Sequence, residues 1–148
     1  MLEPAPTSRL APAIARGILL EHRPATATTP ELVVLGFHNT NYRVHLRPIG
    51  PIEAEIGKRI LGTIRAEAKR VDVCETGGRY VEPVYGRPRR VQGTVAETDA
   101  AANTITVNAG LPLLCRLADA RNQATQFEPG DVVTFDVMPG ATFEQQSR

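Results

Sequence analysis

The feature that most constrains this chain is a long run of alternating apolar residues, 58–74, whose phase changes partway along. In a β-strand the parity of a residue sets its face, so a change of parity requires one extra residue. We therefore predict a strand with a β-bulge near Lys69 and Arg70, which would also bend it. Gly62 is a second place where the strand can bend or another backbone can approach. The apolar or small positions are Ile60, Gly62, Ile64, Ala66 and Ala68 on one parity, then Val71 and Val73 on the other.

An amphipathic helix over residues 60–71 is the alternative for the same stretch. Residues 66–69 read Ala-Glu-Ala-Lys, and these are good helix formers. The strand is favoured because a long strand with a glycine and a bulge is what a sheet needs to curl and close on itself. A continuous helical stripe joining Ile60 to Val71 would contradict the strand.

A β-hairpin is predicted where residues 32–38 and 41–47 flank Asn39-Thr40. A two-residue turn there makes three apolar pairs on one face. A slip of one residue would place arginine and histidine in the core instead, so the register is specified. The predicted pairs are Phe37 with Tyr42, Leu35 with Val44, and Val33 with Leu46.

Further short strands follow, separated by turn residues. Residues 79–85 contain Pro83 and suit a strand at a sheet edge. Residues 89–98 and 104–109 form a second hairpin around a polar turn. Residues 111–118 alternate, and residues 132–138 end the series. Inward positions in these strands are Val91, Gly93, Val95, Ile105, Val107, Ala109, Leu111, Leu113, Cys115, Leu117, Val133, Phe135 and Val137.

The chain length of 148 residues suits a single domain. Residues 1–30 hold five of the twelve prolines and are predicted to form an extended Pro/Ala/Thr-rich arm, with one ordered piece at 14–21. Residues 31–138 are the predicted domain, and residues 139–148 are a predicted C-terminal tail.

The order of elements over residues 58–138 resembles an OB-fold or a related small barrel. That order is a long bent strand, a basic loop region, a hairpin, a linker and a final strand. The predicted fold class is therefore all-β: a small closed or partly open, OB-like β-barrel with an N-terminal hairpin and an extended arm. The resemblance covers about half the chain and implies a binder of single-stranded nucleic acid, oligosaccharide or protein, among which the fold does not choose.

Charge is balanced overall and uneven along the chain. Seventeen basic and sixteen acidic residues leave a formal charge of +1, which does not indicate a polyanion binder driven by bulk charge. Residues 58–90 carry nine basic and four acidic residues, whereas residues 91–148 carry three and seven. The basic part of one copy could meet the acidic part of another, which predicts a homo-oligomer.

The segment 79–90 interleaves arginine with tyrosine and is the candidate nucleic-acid site. Guanidinium groups contact phosphates and aromatic faces stack on bases, so the combination suits a single strand. The alternative interpretation of this segment involves no ligand: the tyrosines pack on the domain, and the arginines keep an exposed loop soluble. The candidate residues are Arg79, Tyr80, Tyr85, Arg87, Arg89 and Arg90.

The sequence displays no catalytic or metal motif. Ser8 and Ser147 are the only serines and both are terminal. Residues 50–59 lack the spacing of a phosphate-binding loop. In the predicted hairpin, His38 and His45 lie roughly 13 Å apart along the strands, which is too far to share a metal ion.

Other sequence features agree with a reduced, non-membrane protein. Cys74 and Cys115 form no Cys-x-x-Cys motif and are predicted to be reduced thiols. No signal peptide or membrane-length apolar run is present, which predicts a cytoplasmic location. We thus expect no cofactor and no membrane partner. The predicted function is a non-catalytic binding or assembly module acting through protein–protein contacts, with single-stranded nucleic-acid binding through residues 79–90 as the alternative.

Overall fold

The computed structural model describes residues 11–75 and 77–146, and this part of the chain is all-β. One short 3₁₀ helix, Ala124–Gln126, interrupts the strands. The strands are β1 (Ile14–Arg23), β2 (Leu32–Gly36), β3 (Arg43–Ile49), β4 (Arg59–Cys74), β5 (Tyr80–Glu82), β6 (Tyr85–Gly86), β7 (Arg90–Asp99), β8 (Thr104–Asn108), β9 (Pro112–Leu117), β10 (Val132–Val137) and β11 (Thr142–Gln145).

Strand β4 is the centre of the sheet and has neighbours on both sides. Its first half pairs with β1 and β11, and its second half pairs with β9 and β10. The parallel pairing with β9 closes a ring of five strands, β4, β10, β7, β8 and β9. The pairing with β1 likewise returns the path through β2, β3 and β11 to β4. The stretch 58–74 is therefore a strand and not a helix, and the sheet closes in part, as predicted.

The predicted bulge in β4 is confirmed. Asp72 pairs with Thr134 and Lys69 pairs with Asp136, so β4 has one more residue than β10 between these two pairs. Arg70 takes up the irregularity with a φ of 60°. Val71 is buried, but Val73, which shares its parity, is 56% exposed. Beyond Ala68 the strand has no β9 neighbour, and the Asn122 side chain instead forms hydrogen bonds with the backbone N–H and carbonyl oxygen of Val71.

The register of the first hairpin is also confirmed. Val33 pairs with Leu46 and Leu35 with Val44. Asn39 adopts a φ of 63°, and the Thr40 hydroxyl donates to the carbonyl oxygen of Phe37 at 2.7 Å. The hairpin strands are shorter than predicted because the turn extends over residues 37–42.

All of the predicted inward positions of the later strands are buried. Strands β7 and β9 alternate as expected, but in β8 Thr106 is buried together with Ile105 and Val107, and the β7–β8 register shifts between Val95 and Glu97. Strand β5 joins the described sheet through β7 alone. Burial places the Cys115 thiol in the core and raises its pKa to about 12, so it is not a nucleophile. The buried set includes Val91, Val95, Ile105, Val107, Ala109, Leu111, Leu113, Cys115, Leu117, Val133, Phe135 and Val137.

The structure differs from the prediction at both ends of the sequence. Strand β1 lies within the predicted arm, includes the ordered piece 14–21 and buries Ala15 and Leu19. Strand β11 lies within the predicted tail, between β3 and β4, and buries Phe143 completely. Both segments therefore belong to the sheet. The first ten residues of the predicted arm lie outside the described residues, as does Ser147.

Candidate functional site

The predicted segment 79–90 is fixed to two parts of the sheet. Its strand β5 pairs with β7, and its strand β6 pairs in parallel with β3. The backbone N–H of Arg43 donates to the Val84 carbonyl oxygen at 2.8 Å, and the N–H of Val81 donates to the Tyr42 hydroxyl at 3.0 Å. The segment therefore bridges the β2–β3 hairpin and the β7 strand.

The bridge separates the six candidate residues. Arg90 is at the β7 end, where its guanidinium donates to the Asp136 carboxylate at 2.7 Å, and this hydrogen bond raises the pKa of Arg90. Tyr80 is also at this end, on β5. Tyr85 is beside β3, with its ring edge-on to the His45 ring at a centroid distance of 4.7 Å. The side chains of Arg79, Arg87 and Arg89 are exposed. Arg90 and Tyr80 thus lie at one end of the bridge and Tyr85 lies at the other.

Part of the charge asymmetry is compensated within the chain. Arg65 and Arg90, from the basic stretch, donate to Glu144 and Asp136, from the acidic stretch, each at 2.7 Å. These side chains are 42–49% exposed, so each pair contributes little to stability. Their charge is nevertheless less available to a ligand or to a second copy.

A different group of arginines lines a cleft of about 770 Å³ on the outer face of β1 to β4. We call it the arginine cleft and define it by Arg16, Arg43 and Arg59. The pairings place Arg43, Gly36, Ile18 and Arg59 in one row across four strands. Neighbouring strands are about 4.8 Å apart, so the row spans roughly 14 Å. Arg16 precedes Ile18 by two residues and lies on the same face of β1.

The Leu20 side chain lies against Gly36 at the floor of the arginine cleft. A Cβ atom there would lie 3.1 Å from Cδ1 of Leu20, which is tighter than an ordinary contact. The floor between Arg43 and Arg59 is therefore apolar, formed by Gly36 together with the side chains of Leu20 and Ile18. A ligand can lie on this floor while the flanking guanidinium groups reach its edges.

Two smaller depressions adjoin the arginine cleft around the β2–β3 turn. One, of about 540 Å³, contains Arg79 and shares Tyr42 with the cleft. The other, of about 400 Å³, shares Arg16 and His38 with it. We call the lining of all three the basic turn surface.

The basic turn surface has no acidic lining residue among the residues that the structure describes. None of Arg16, Arg43, Arg59 and Arg79 forms an ion pair within residues 11–75 and 77–146. The depression of about 390 Å³ beside β9 differs, because Glu67 lines it together with two arginines. The basic turn surface is therefore suited to an anion.

Sequence analysis identified only Arg79 of these four arginines. Arg16 lies in the predicted arm, Arg43 in the first hairpin and Arg59 at the start of the basic stretch 58–90, so no single local cluster contains all three. One signal was present, because the hairpin register already placed Arg43 on the outer face. The other arginines needed the β1–β4 pairing, which joins distant parts of the chain.

His45 follows Arg43 by two residues on β3, and its surroundings disfavour the protonated ring. Its Nε2 atom is buried without a hydrogen-bond partner among the described residues. Desolvation lowers the pKa of His45, and the charge of nearby Arg23 lowers it further, while Glu21 opposes the shift. The native state therefore favours the neutral ring.

We expect this histidine to make the fold less stable in mild acid. The unfolded chain binds a proton at its ordinary pKa of about 6.5, so unfolding is favoured as the pH falls below that value. Urea midpoints of wild type and His45→Gln, compared at about pH 7.5 and about pH 5.5, should show the larger loss in wild type. His38→Gln, at an exposed position, is the control. An equal loss in wild type and His45→Gln would contradict this assignment.

The described residues contain neither a metal-binding group nor a membrane-spanning helix. No three His, Cys, Asp or Glu side chains within residues 11–75 and 77–146 are placed to hold a metal ion. No helix in this part of the chain is long and apolar enough to cross a bilayer. Comparison with protein-family models, curated proteins and solved structures gives no match. The functional assignment therefore depends on the chemistry of the basic turn surface.

Proposed function

We propose that this protein is a non-catalytic binding module that holds a single-stranded nucleic acid on the basic turn surface. One observation carries the proposal: four arginines from separate segments line adjoining depressions whose described lining contains no carboxylate. Guanidinium groups form charge-assisted hydrogen bonds with phosphate oxygens. A phosphodiester chain supplies such oxygens at regular intervals along a path of this kind.

An exposed aromatic ring favours a single strand over a duplex. Tyr85 is 55% exposed and pairs with Arg43 through the β6–β3 contact. It extends the row of Arg43, Gly36, Ile18 and Arg59 to a fifth strand, about 19 Å in all. Bases of a single strand are free to stack on such a ring. The proposal thus retains Arg79 and Tyr85 from the predicted segment and adds Arg16, Arg43 and Arg59.

We further propose that β1, β2, β3, β4 and β11 form an OB-like unit. Strand β1 pairs with β2 and β4, and β2 pairs with β3. Strand β11 pairs in parallel with β3 and antiparallel with β4. This order is similar to that of an OB-fold, whose second and third strands present an oligonucleotide-binding face. The arginine cleft covers Gly36 on β2 and Arg43 on β3, which correspond to that face.

A protein–protein contact is the second candidate function, as a self-associating or partner-binding module. Three large apolar side chains away from the basic turn surface are at least 44% exposed: Ile49, Ile56 and Val73. Such side chains can anchor a partner. Light scattering over a range of protein concentrations tests self-association, and a constant monomer mass would count against it.

The nucleic-acid proposal is tested by fluorescence anisotropy with an unstructured single-stranded oligonucleotide at several salt concentrations. The triple variant Arg16→Ala, Arg43→Ala and Arg59→Ala should bind about 100-fold more weakly at low salt, because three charge-assisted contacts are lost. The slope of log affinity against log salt should fall by about 2, since each phosphate contact on a single strand contributes about 0.7.

The control removes the same charge from arginines that are already paired. Arg65→Ala, Arg90→Ala and Arg116→Ala delete partners of Glu144, Asp136 and Glu67. This variant should retain affinity within about threefold, because these guanidinium groups are engaged in the chain. Absence of wild-type binding at low salt, or equal losses in the two triple variants, would overturn the proposal.

A further inference from the structure

We propose that the depression of about 540 Å³ beside the β2–β3 turn receives one nucleobase of the bound strand. We call it the asparagine pocket, and its relevant residues are Asn39, Asn41, Tyr42, Arg79, Val84 and Gly110. This inference rests on the proposed function and names what the ligand contributes besides phosphate. It separates a nucleic acid from other polyanions.

Two side-chain amides supply the polar groups of the asparagine pocket. Asn39 and Asn41 are exposed, and neither side chain forms a hydrogen bond with another residue of the described chain. Each amide offers an acceptor oxygen and two N–H donors. Unpaired bases display neighbouring donors and acceptors on their edges, and a side-chain amide can match such a pair.

The turn that carries these amides is internally fixed. The Thr40 hydroxyl donates to the Phe37 carbonyl oxygen, and the N–H of Tyr42 donates to that hydroxyl oxygen at 3.3 Å. Asn39 holds the left-handed conformation that this turn requires. The backbone that carries the two amides is therefore preorganised, which reduces the ordering cost of binding.

The walls of the asparagine pocket suit a flat aromatic ring. Tyr42 is held by the hydrogen bond from the Val81 N–H, and Val84 is 50% exposed. Gly110 has a φ of 97°, and a Cβ there would lie 3.4 Å from Cε2 of Tyr42. The absence of that side chain leaves the space beside the Tyr42 ring open. Apolar contact and stacking on a held ring are the usual means of seating a base.

The asparagine pocket and the arginine cleft are connected. Both are lined by Thr40, Asn41 and Tyr42, whereas Arg79 lines the pocket and not the cleft. A strand whose phosphates contact the arginine cleft can therefore turn a neighbouring base into the pocket. A polyanion without bases would use the arginines alone.

The test compares three ligands by anisotropy or by competition: a single-stranded oligonucleotide, a strand of the same length made of abasic units, and inorganic polyphosphate. Wild type should bind the base-bearing strand about tenfold tighter than the abasic strand. The double variant Asn39→Gly, Asn41→Ala should reduce this ratio to about twofold with an unchanged salt slope, because its charge is unchanged. Glycine at position 39 keeps the left-handed backbone without the amide.

Two further variants make the outcome unambiguous. The first is the single variant Asn41→Ala. Asn41 does not have a positive φ, so this change does not disturb the turn at Asn39, and it should lower the affinity ratio partway. Gln146→Ala removes an exposed amide elsewhere and should leave the ratio unchanged. Equal wild-type affinity for base-bearing and abasic strands, or an unchanged ratio in the double variant, would overturn the asparagine pocket and leave the proposed function standing. Failure of every anionic strand to bind at low salt would overturn the proposed function itself.

Discussion

Deletion of residues 139–148 is expected to abolish cooperative folding. The deletion removes β11, which lies between β3 and β4 and pairs with both. It also removes Phe143, which is fully buried. Loss of a buried phenylalanine alone costs about 3–5 kcal/mol. Unpaired backbone on β3 and β4 adds to that cost, while the whole stability of a small domain is about 5–15 kcal/mol. Thermal melts followed by circular dichroism should show no sharp transition.

Point variants within the same segment separate the contribution of Phe143 from that of the backbone. Phe143→Leu should fold, with a stability loss of about 1–2 kcal/mol, because most of the apolar volume is kept. Glu144→Ala should be close to neutral, since it breaks one exposed ion pair with Arg65. A truncated chain that melts cooperatively within a few degrees of wild type would show that β11 is dispensable.

Gly62→Ala is expected to produce the largest loss from a single added methyl group. A Cβ atom at this position would lie 2.3 Å from the Glu144 carbonyl oxygen and 2.4 Å from Cζ of Phe143. The first of these atoms is backbone of the paired strand, so relief requires β4 and β11 to separate. We expect a loss of roughly 3 kcal/mol, near the upper end of overpacking costs. For a chain of this length that lowers the Tm by about 10 °C.

The matched control is Gly78→Ala, where an added Cβ meets nothing within 4 Å. Its Tm should stay within about 2 °C of wild type, because surface substitutions usually change stability by less than 0.5 kcal/mol either way. Calorimetry on both variants makes the comparison. Similar Tm values for the two variants would mean that β11 does not approach β4 at Gly62 as described.

The local rules of strand pairing made part of this fold predictable. The register of the first hairpin is predictable because a slip of one residue would bury Arg43. The bulge in β4 is predictable because the parity of the apolar residues changes between Ala68 and Val71. Both inferences use residues close in sequence. In each case the observed pairing buries apolar side chains, whereas the alternative pairing buries a charged side chain or breaks the alternation. The sequence alone therefore indicates which pairing is more stable.

Long-range pairing was not predictable in the same way. Strand β11 has four residues and only one large apolar side chain, Phe143, so its alternation is too short to be recognised. Each of its residues pairs with a β3 residue that precedes it by 95 positions. Strand β1 is obscured in the sequence because Arg16 and Gly17 interrupt its apolar run. In the structure Arg16 is exposed, whereas Gly17 is buried on the same face as Ala15 and Leu19.

The candidate site shows the same limit. Arg79 was identified because arginine and tyrosine are dense around it in the sequence. That density also included Arg90, whose charge is engaged by Asp136 on β10. A count of local charge cannot separate a guanidinium that is free from one that is paired across the sheet. It also cannot find Arg16 and Arg59, which meet only because β1 lies against β4.

The position of β4 has a consequence for how the molecule can be divided. Strands β5 to β10 all come from one continuous stretch between β4 and β11. Of these, β7 to β10 form the ring with β4, β5 pairs with β7, and β6 pairs with β3. Both this stretch and the remainder of the chain pair with β4. Removal of the stretch would leave the second half of β4 without its neighbours β9 and β10. We therefore expect the two portions to unfold together. A fragment made by cutting between them would lack strand pairs that the whole chain has.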